Sequence, residues 1–237
     1  MNETVLALNG VNVFYDTSHI LFDLSLAAQK GRTLALLGRN GAGKSTTMKA
    51  IMGVVPVRSG EILFAGTAVN GQPSYAVARQ GIGLVPEDRQ VFQQLTVDDN
   101  LRIAAKPGPS GREDWTMDNI YDAFPILAKM RDRKAGMMSG GEQQLLSMAR
   151  CLMGNPELIL LDEPSEGLAP IIVQEIGRLI RDLRKTGVTI VLAEQNMHFC
   201  LGISDDAVVI DKGTIVYRGT IQDLRANTEI TSRYLAI

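Results

Sequence analysis

The stretch that decides the fold is "TLALLGRNGAGKS", residues 33–45. Its first five residues are apolar or β-prone and predict a strand buried on both faces, and residues 45–52 predict a helix. The segment between them, residues 38–45, fits G-x-x-x-x-G-K-[ST] and is called the phosphate loop below. A glycine-rich turn with an accidental lysine is the alternative, but the strand before it and the helix after it favour a phosphate site.

The residue types in the phosphate loop suit phosphate chemistry. Glycines let backbone N–H groups converge on phosphate oxygens, and the helix N-terminus adds partial positive charge. Lys44 is expected to reach the outer phosphates, and Ser45 to offer its hydroxyl to Mg²⁺.

A second strand, in "LILLDEP" (158–164), ends on Asp162 and Glu163. Ligands of open α/β sheets gather at such strand ends. Asp162 is expected to hold Mg²⁺, usually through a water, and Glu163 to polarise the attacking water. Two acids at this place can also be only a helix cap, but the phosphate loop upstream favours the catalytic interpretation.

The segment "MSGGEQQ", residues 138–144, is called the signature segment below. Ser139 is expected to cap the helix that follows, and two glycines with a serine before a helix can form a second anion site. One nucleotide rarely needs two such sites from one subunit. The pattern therefore favours a sandwich of two subunits, whereas a simple helix start is the structural alternative.

The remaining apolar runs alternate with helical periodicity and predict an α/β fold with a mostly parallel sheet. Residues 1–28, 60–69 and 207–219 predict strands and hairpins without helices between them, so an antiparallel β layer is expected to flank the core. Residues from 96 to about 153 predict a helical lobe inserted into that core. One domain over residues 1–237 is expected.

Composition excludes several function classes. Lysine and arginine number 24 against 26 acids, a net charge of −2, so nucleic acid is not an expected ligand. No apolar stretch approaches the roughly 18 residues of a membrane span, and "MNETVLALNG" lacks the pattern of a signal peptide. Cys151 and Cys200 lie outside redox and zinc spacings and are interpreted as buried small hydrophobes.

With these motifs in this order, the chain resembles the ATP-binding subunits of ABC transporters over nearly its whole length. The resemblance implies a P-loop NTPase core with ATP and Mg²⁺ as ligands. It also implies a head-to-tail dimer with a homologous ATP-binding subunit, closed by two ATP molecules and opened by hydrolysis. Membrane-spanning permease subunits and, indirectly, an external solute-binding protein are the implied partners, at the cytoplasmic face of the inner or plasma membrane.

The resemblance also carries individual residues. Tyr15 matches the aromatic that stacks on adenine, although it could equally belong to the core. The implied contacts with ATP in the same subunit are Gly38, Arg39, Asn40, Gly41, Ala42, Gly43, Lys44, Ser45 and Thr46. The implied contacts with the partner's ATP are Ser139, Gly140, Gly141 and Glu142.

The sequence departs from the usual family pattern at three positions. Glu87 replaces a glutamine and is expected to join Ser45 and Asp162 around Mg²⁺, or else to pair with Arg89. Gln195 replaces a histidine and is expected to sense the γ-phosphate; unlike histidine it cannot titrate. Ala169 replaces an aspartate at the expected dimer interface.

These departures make the chain most similar to the second ATP-binding subunit of branched-chain amino-acid importers. A subunit for urea, amides or another solute, or one that serves export, is the first alternative. A non-transport ABC ATPase is less favoured, because neither a second cassette nor a long coiled-coil insertion occurs. A P-loop kinase or GTPase would leave the signature segment unexplained.

Overall fold

The computed structural model describes residues 3–235. The strands are β1 (Thr4–Tyr15), β2 (Ser18–Gln29), β3 (Thr33–Leu37), β4 (Val57–Phe64), β5 (Thr67–Ala68), β6 (Ile82–Val85), β7 (Leu158–Asp162), β8 (Thr189–Glu194), β9 (Asp206–Asp211) and β10 (Thr214–Thr220). The helices are α1 (Lys44–Ile51), α2 (Ser74–Arg79), α3 (Val97–Ala104), α4 (Met117–Ala123), α5 (Pro125–Ala128), α6 (Gly140–Leu152), α7 (Pro170–Lys185), α8 (Met197–Leu201), α9 (Ile221–Ala226) and α10 (Thr228–Tyr234).

The central sheet has six strands in the order β10-β9-β3-β8-β7-β6. Its strands from β9 to β6 run parallel, and only β10 at the edge is antiparallel. Every residue of β3, β7 and β8 is buried, as expected for strands covered on both faces. The predicted α/β fold class with a mostly parallel sheet is confirmed.

A separate antiparallel sheet has the order β2-β1-β4-β5 and forms the predicted flanking layer. The prediction that the hairpin in residues 207–219 belongs to that layer is wrong. Its first strand, β9, pairs parallel with β3 inside the central sheet. The reason is burial: Ala207, Val208, Val209 and Ile210 are all buried, so the strand needs cover on both faces. Residues 1 and 2 of the predicted layer lie outside the described residues.

The central sheet separates two apolar cores. Side chains alternate along β3, so Leu34 and Leu36 pack in the core that contains α1 and the antiparallel sheet. Leu37 points to the opposite core, which contains α6 and α7. Because apolar contacts cover both faces, only the strand ends are left for polar side chains.

Between β6 and β7 the chain forms α3, α4, α5, a 3₁₀ turn at Ala135–Met137 and α6. These elements cover the part of the chain for which the helical lobe is predicted. They bury Leu101, Ile120 and Leu145 in the same core as α7. Treating the whole chain as one domain with an inserted lobe stays a prediction. Among residues 3–235, no helix has the length and apolar content needed to cross a membrane.

Candidate functional site

Three neighbouring strands end at the same edge of the central sheet. β3 runs into the phosphate loop, β7 ends on Asp162, and β8 ends on Glu194. Leu37 is in register with Glu194, and Asp162 with Ala193. Parallel pairing therefore brings residues from distant parts of the sequence to one edge, where ligands of such sheets bind.

The backbone of the phosphate loop requires glycine at two positions. A Cβ on Gly38 would lie 2.4 Å from the carbonyl oxygen of Ile210, which excludes any larger residue. Gly43 has a φ of 113°, a conformation that L side chains rarely adopt. Helix α1 begins after Gly43 without a side-chain cap, so no side chain competes with a phosphate for its first N–H groups.

Lys44 is buried, and its ammonium group has three polar partners. Its Nζ donates to the carbonyl oxygens of Gly38 at 2.8 Å and Arg39 at 3.1 Å. The same atom lies 3.0 Å from Oε1 of Glu163, so two of the three predicted catalytic residues, Lys44 and Glu163 but not Gln195, form a buried ion pair.

Glu163 and the residues after it form an acidic turn. Glu163 has a φ of 47°, and its Oε2 is buried and accepts no hydrogen bond from residues 3–235. The Glu163 carboxylate raises the pKa of Glu166 to about 7, because a protonated Glu166 can donate a hydrogen bond to it. Burial of Glu166 and the negative charge of Glu163 add to this shift. Glu166 was not identified from the sequence, where only its spacing of three residues from Glu163 hinted at this contact.

Ser45 and Asp162, the predicted Mg²⁺ ligands, are in contact: Ser45 Oγ donates to Asp162 Oδ1 at 3.0 Å. Burial raises the pKa of Asp162 to about 6; the Ser45 hydrogen bond opposes this shift, and the Glu163 and Glu87 carboxylates add to it. Residues 3–235 contain no group of three His, Cys, Asp or Glu that could hold a metal by itself. Mg²⁺ takes one or two protein oxygens and completes its shell with phosphate and water, so Ser45 and Asp162 are the residues that would hold it here.

Glu87, Gln195 and Tyr15 are exposed and make no side-chain hydrogen bond within residues 3–235. Glu87 follows β6 and lies close enough to Asp162 to raise its pKa, whereas no ion pair between Glu87 and Arg89 is found in this part of the chain. Gln195 follows the last residue of β8. Tyr15 ends β1, and Leu21 of the adjoining β2 packs against Gly43.

The signature segment forms the beginning of α6. Ser139 caps this helix by accepting the N–H of Glu142, and the Glu142 carboxylate accepts the N–H of Ser139 at 2.7 Å. A Cβ on Gly140 would lie 2.7 Å from the Arg89 guanidinium, and one on Gly141 would lie 2.8 Å from Ile172. The predicted cap is therefore present, and both glycines permit close packing.

The sequence pattern predicts no role for Glu194. In the structure β8 continues to Glu194, which is buried and accepts two hydrogen bonds from Ser165, as described below. Asn196 caps α8, and its side chain accepts the N–H of Phe199. The apolar pattern stops before Glu194 and gives no sign of a partner so far away in the chain.

A phosphate loop and an acidic strand end at one edge of a parallel sheet define a P-loop nucleotide hydrolase. The comparisons specify its family. The family model described as ABC transporter matches residues 21–166. The chain belongs to the ABC transporter family and is an ATP-hydrolysing subunit.

Two curated relatives match nearly end to end. The high-affinity branched-chain amino acid transport ATP-binding protein BraG of Pseudomonas aeruginosa is 41% identical over 231 residues, 98% of this chain and 99% of BraG. The probable branched-chain amino acid transport ATP-binding protein LivF of Archaeoglobus fulgidus is 38% identical over 218 residues, 90% of this chain and 91% of LivF. Among solved structures, the ADP conformation of MJ1267, an ATP-binding cassette of an ABC transporter, aligns with a TM-score of 0.83 at 24% identity, covering 97% of each chain.

The raised pKa of Asp162 predicts a pH-dependent cost to the Mg²⁺-free protein. Native Asp162 keeps its proton up to about pH 6, whereas an unfolded aspartate loses it near pH 4, so ionisation destabilises the native state as pH rises between these values. Asp162→Asn should therefore raise the free energy of unfolding by about 2 kcal/mol at pH 7.5 and by much less at pH 4. Urea unfolding in EDTA measures this difference.

Asp122→Asn is the matched control, because Asp122 is exposed on α4. It should change the unfolding free energy by less than about 0.5 kcal/mol at both pH values. Equal effects of Asp162→Asn at pH 4 and pH 7.5 would contradict the assigned titration.

Proposed function

We propose that the chain powers an ABC importer for branched-chain amino acids. The proposal of ATP hydrolysis rests on one observation: Lys44, Ser45, Asp162 and Glu163 converge at one edge of the central sheet. The solute rests on the two relatives named for branched-chain amino acid transport, which match 98% and 90% of this chain.

The phosphate loop binds the triphosphate, and Lys44 has a central role in this step. In the described structure Lys44 is paired with Glu163. A triphosphate presents more negative charge than one carboxylate, so it draws the ammonium away and leaves Glu163 able to accept a proton from the attacking water. Ser45 and Asp162 would hold Mg²⁺, with Glu87 near its shell, and the bound ion would supply positive charge against the phosphates.

The second anion site is used in a dimer. Ser139, Gly140 and Gly141 at the start of α6 bind the ATP held by the partner's phosphate loop. The Glu142 carboxylate acts in the helix cap and supports this segment. Ala169 carries no polar side chain, so the loop after β7 contacts the partner through its backbone and neighbouring residues.

The transporter context follows from the same dimer. Two ATP-binding subunits attach to permease subunits at the cytoplasmic face of the membrane and reach a solute-binding protein only indirectly. Glu87 is exposed and close enough to Asp162 to raise its pKa, which supports a role in relaying metal and γ-phosphate occupancy to the permease. The near-neutral charge balance gives no support for a nucleic-acid partner.

The general-base role of Glu163 predicts a separation of binding from turnover. Glu163→Gln should bind ATP with similar affinity, lower kcat by about 100-fold or more, and accumulate a closed dimer. ATPase assays of the full chain with its partners, combined with size-exclusion chromatography in ATP, measure both effects. Glu157→Gln, an exposed acid just before β7, is the control and should retain full activity. Full ATPase activity in Glu163→Gln would remove Glu163 from this role.

The sensing role of Gln195 predicts an effect on turnover rather than on affinity. Gln195→Ala should lower kcat by about 10-fold while changing the Kd for ATP by less than about twofold. Gln222→Ala, an exposed glutamine on α9, should change neither quantity. The opposite pattern, a weakened Kd with kcat unchanged, would assign Gln195 to ground-state binding.

The solute is tested by transport-coupled ATPase activity. The chain should co-purify with its permease subunits, and the reconstituted complex with its binding protein should hydrolyse ATP faster when leucine, isoleucine or valine is present. Urea and a short amide serve as comparison solutes. Stimulation by these two alone would transfer the assignment to the urea and amide alternative.

A further inference from the structure

Glu194 is a buried carboxylate at the end of β8, with only 1% of its surface exposed. Its Oε1 accepts a hydrogen bond from Ser165 Oγ at 2.6 Å and a second from the Ser165 backbone N–H at 3.1 Å. Its Oε2 accepts a longer one from the N–H of Asn196 at 3.4 Å. Within residues 3–235 no cation pairs with Glu194.

Burying an apolar side chain at this position would cost less free energy than burying a carboxylate. Burial raises the pKa of Glu194, and the two donors of Ser165 oppose that shift. A buried carboxylate without a counter-charge is costly, so its hydrogen bonds must compensate for the lost hydration. The contact with Ser165 is therefore the structural reason for an acid at the end of this strand.

Glu194 and its neighbour Ala193 tie down both ends of the turn that carries Glu163. The N–H of Glu163 donates to the carbonyl oxygen of Ala193 at 3.0 Å, and Ser165 donates to Glu194. Consecutive residues of β8 thus fix the first and last residues of the Glu163–Ser165 turn.

The turn needs this restraint because of its backbone. Glu163 has a φ of 47°, in the left-handed region that non-glycine residues rarely occupy. Such a conformation persists only when the surrounding structure holds it. Loss of the restraint at Ser165 would let the turn relax and move the Glu163 carboxylate.

We propose that Glu194 is a positioning residue for ATP hydrolysis: by holding Ser165, it keeps the Glu163–Ser165 turn, and with it the Glu163 carboxylate, in place for the reaction. Glu194 acts through Ser165. This inference rests on the proposed role of Glu163.

The proposal separates two kinetic quantities. ATP binding depends on the phosphate loop, which Glu194 does not contact through its side chain, so KM for ATP should remain within about twofold of the wild-type value. Turnover depends on the position of Glu163, and a displacement of about 1 Å can cost about 100-fold. Glu194→Ala should therefore lower kcat by about 10-fold to 100-fold.

Two further variants distinguish positioning from general destabilisation. Glu194→Gln keeps an oxygen that can accept both donors of Ser165, so kcat should return to within about threefold of wild type. Ser165→Ala removes the hydroxyl and leaves the backbone N–H, so kcat should fall by about threefold to 10-fold even if Glu194→Ala does not fold. Combined with Glu194→Ala, it should cause no further loss, because both changes remove the same contact.

The matched control is Asp205→Ala at the opposite end of the sheet. Asp205 also accepts a backbone N–H from a neighbouring strand, that of Thr33 at 2.9 Å, and it pairs with Arg184. This variant should lower thermal stability and leave kcat unchanged.

ATPase kinetics of the full chain, co-purified with its permease subunits, decide the outcome. An unchanged kcat in Ser165→Ala, or a Glu194→Gln variant as impaired as Glu194→Ala, would overturn the positioning role. If the Glu163→Gln variant hydrolysed ATP as fast as the wild-type protein, the proposed role of Glu163 would be overturned instead. The two failures are therefore distinguishable.

Discussion

The site depends on the buried ion pair between Lys44 and Glu163. It joins the phosphate loop after β3 to the end of β7, and both side chains are almost fully buried. Burying two charges is costly, so the pair is stable only because the other two ammonium protons bond the carbonyl oxygens of Gly38 and Arg39. A ligand that takes over Lys44 must itself be strongly anionic. In the proposed mechanism this requirement would favour polyphosphates and would link nucleotide binding to the release of Glu163.

The parallel sheet makes that pair possible. Apolar cores cover both faces of β3, β7 and β8, which leaves their ends as the places where polar side chains can gather. Register brings Asp162 beside Ala193, and Leu37 beside Glu194. Residues separated by more than a hundred positions are thereby held on one rigid edge, which suits chemistry that depends on positioning.

The parts of the site that were predictable are local in the sequence. The phosphate loop and the Asp162-Glu163 pair carry their own pattern, a strand followed by particular residue types, and the structure brings them together as expected. The hairpin at residues 207–219 was misplaced because its pairing with β3 is set by distant residues. Glu194 was missed for the same reason: its partner, Ser165, lies 29 positions earlier, and a buried acid interrupts the apolar pattern by which strands are recognised.

Three buried carboxylates at this edge differ in how their charge is satisfied. Within residues 3–235, Glu163 has the ammonium of Lys44, Glu194 has both donors of Ser165, and Asp162 has only the hydroxyl of Ser45. The least satisfied of them, Asp162, has its pKa raised to about 6. A divalent cation is the group that would compensate Asp162, and a nucleotide is the group that would take Lys44 from Glu163. Each brings charge that the other needs, so metal and nucleotide should bind together at this edge, while Glu194 keeps its contact throughout.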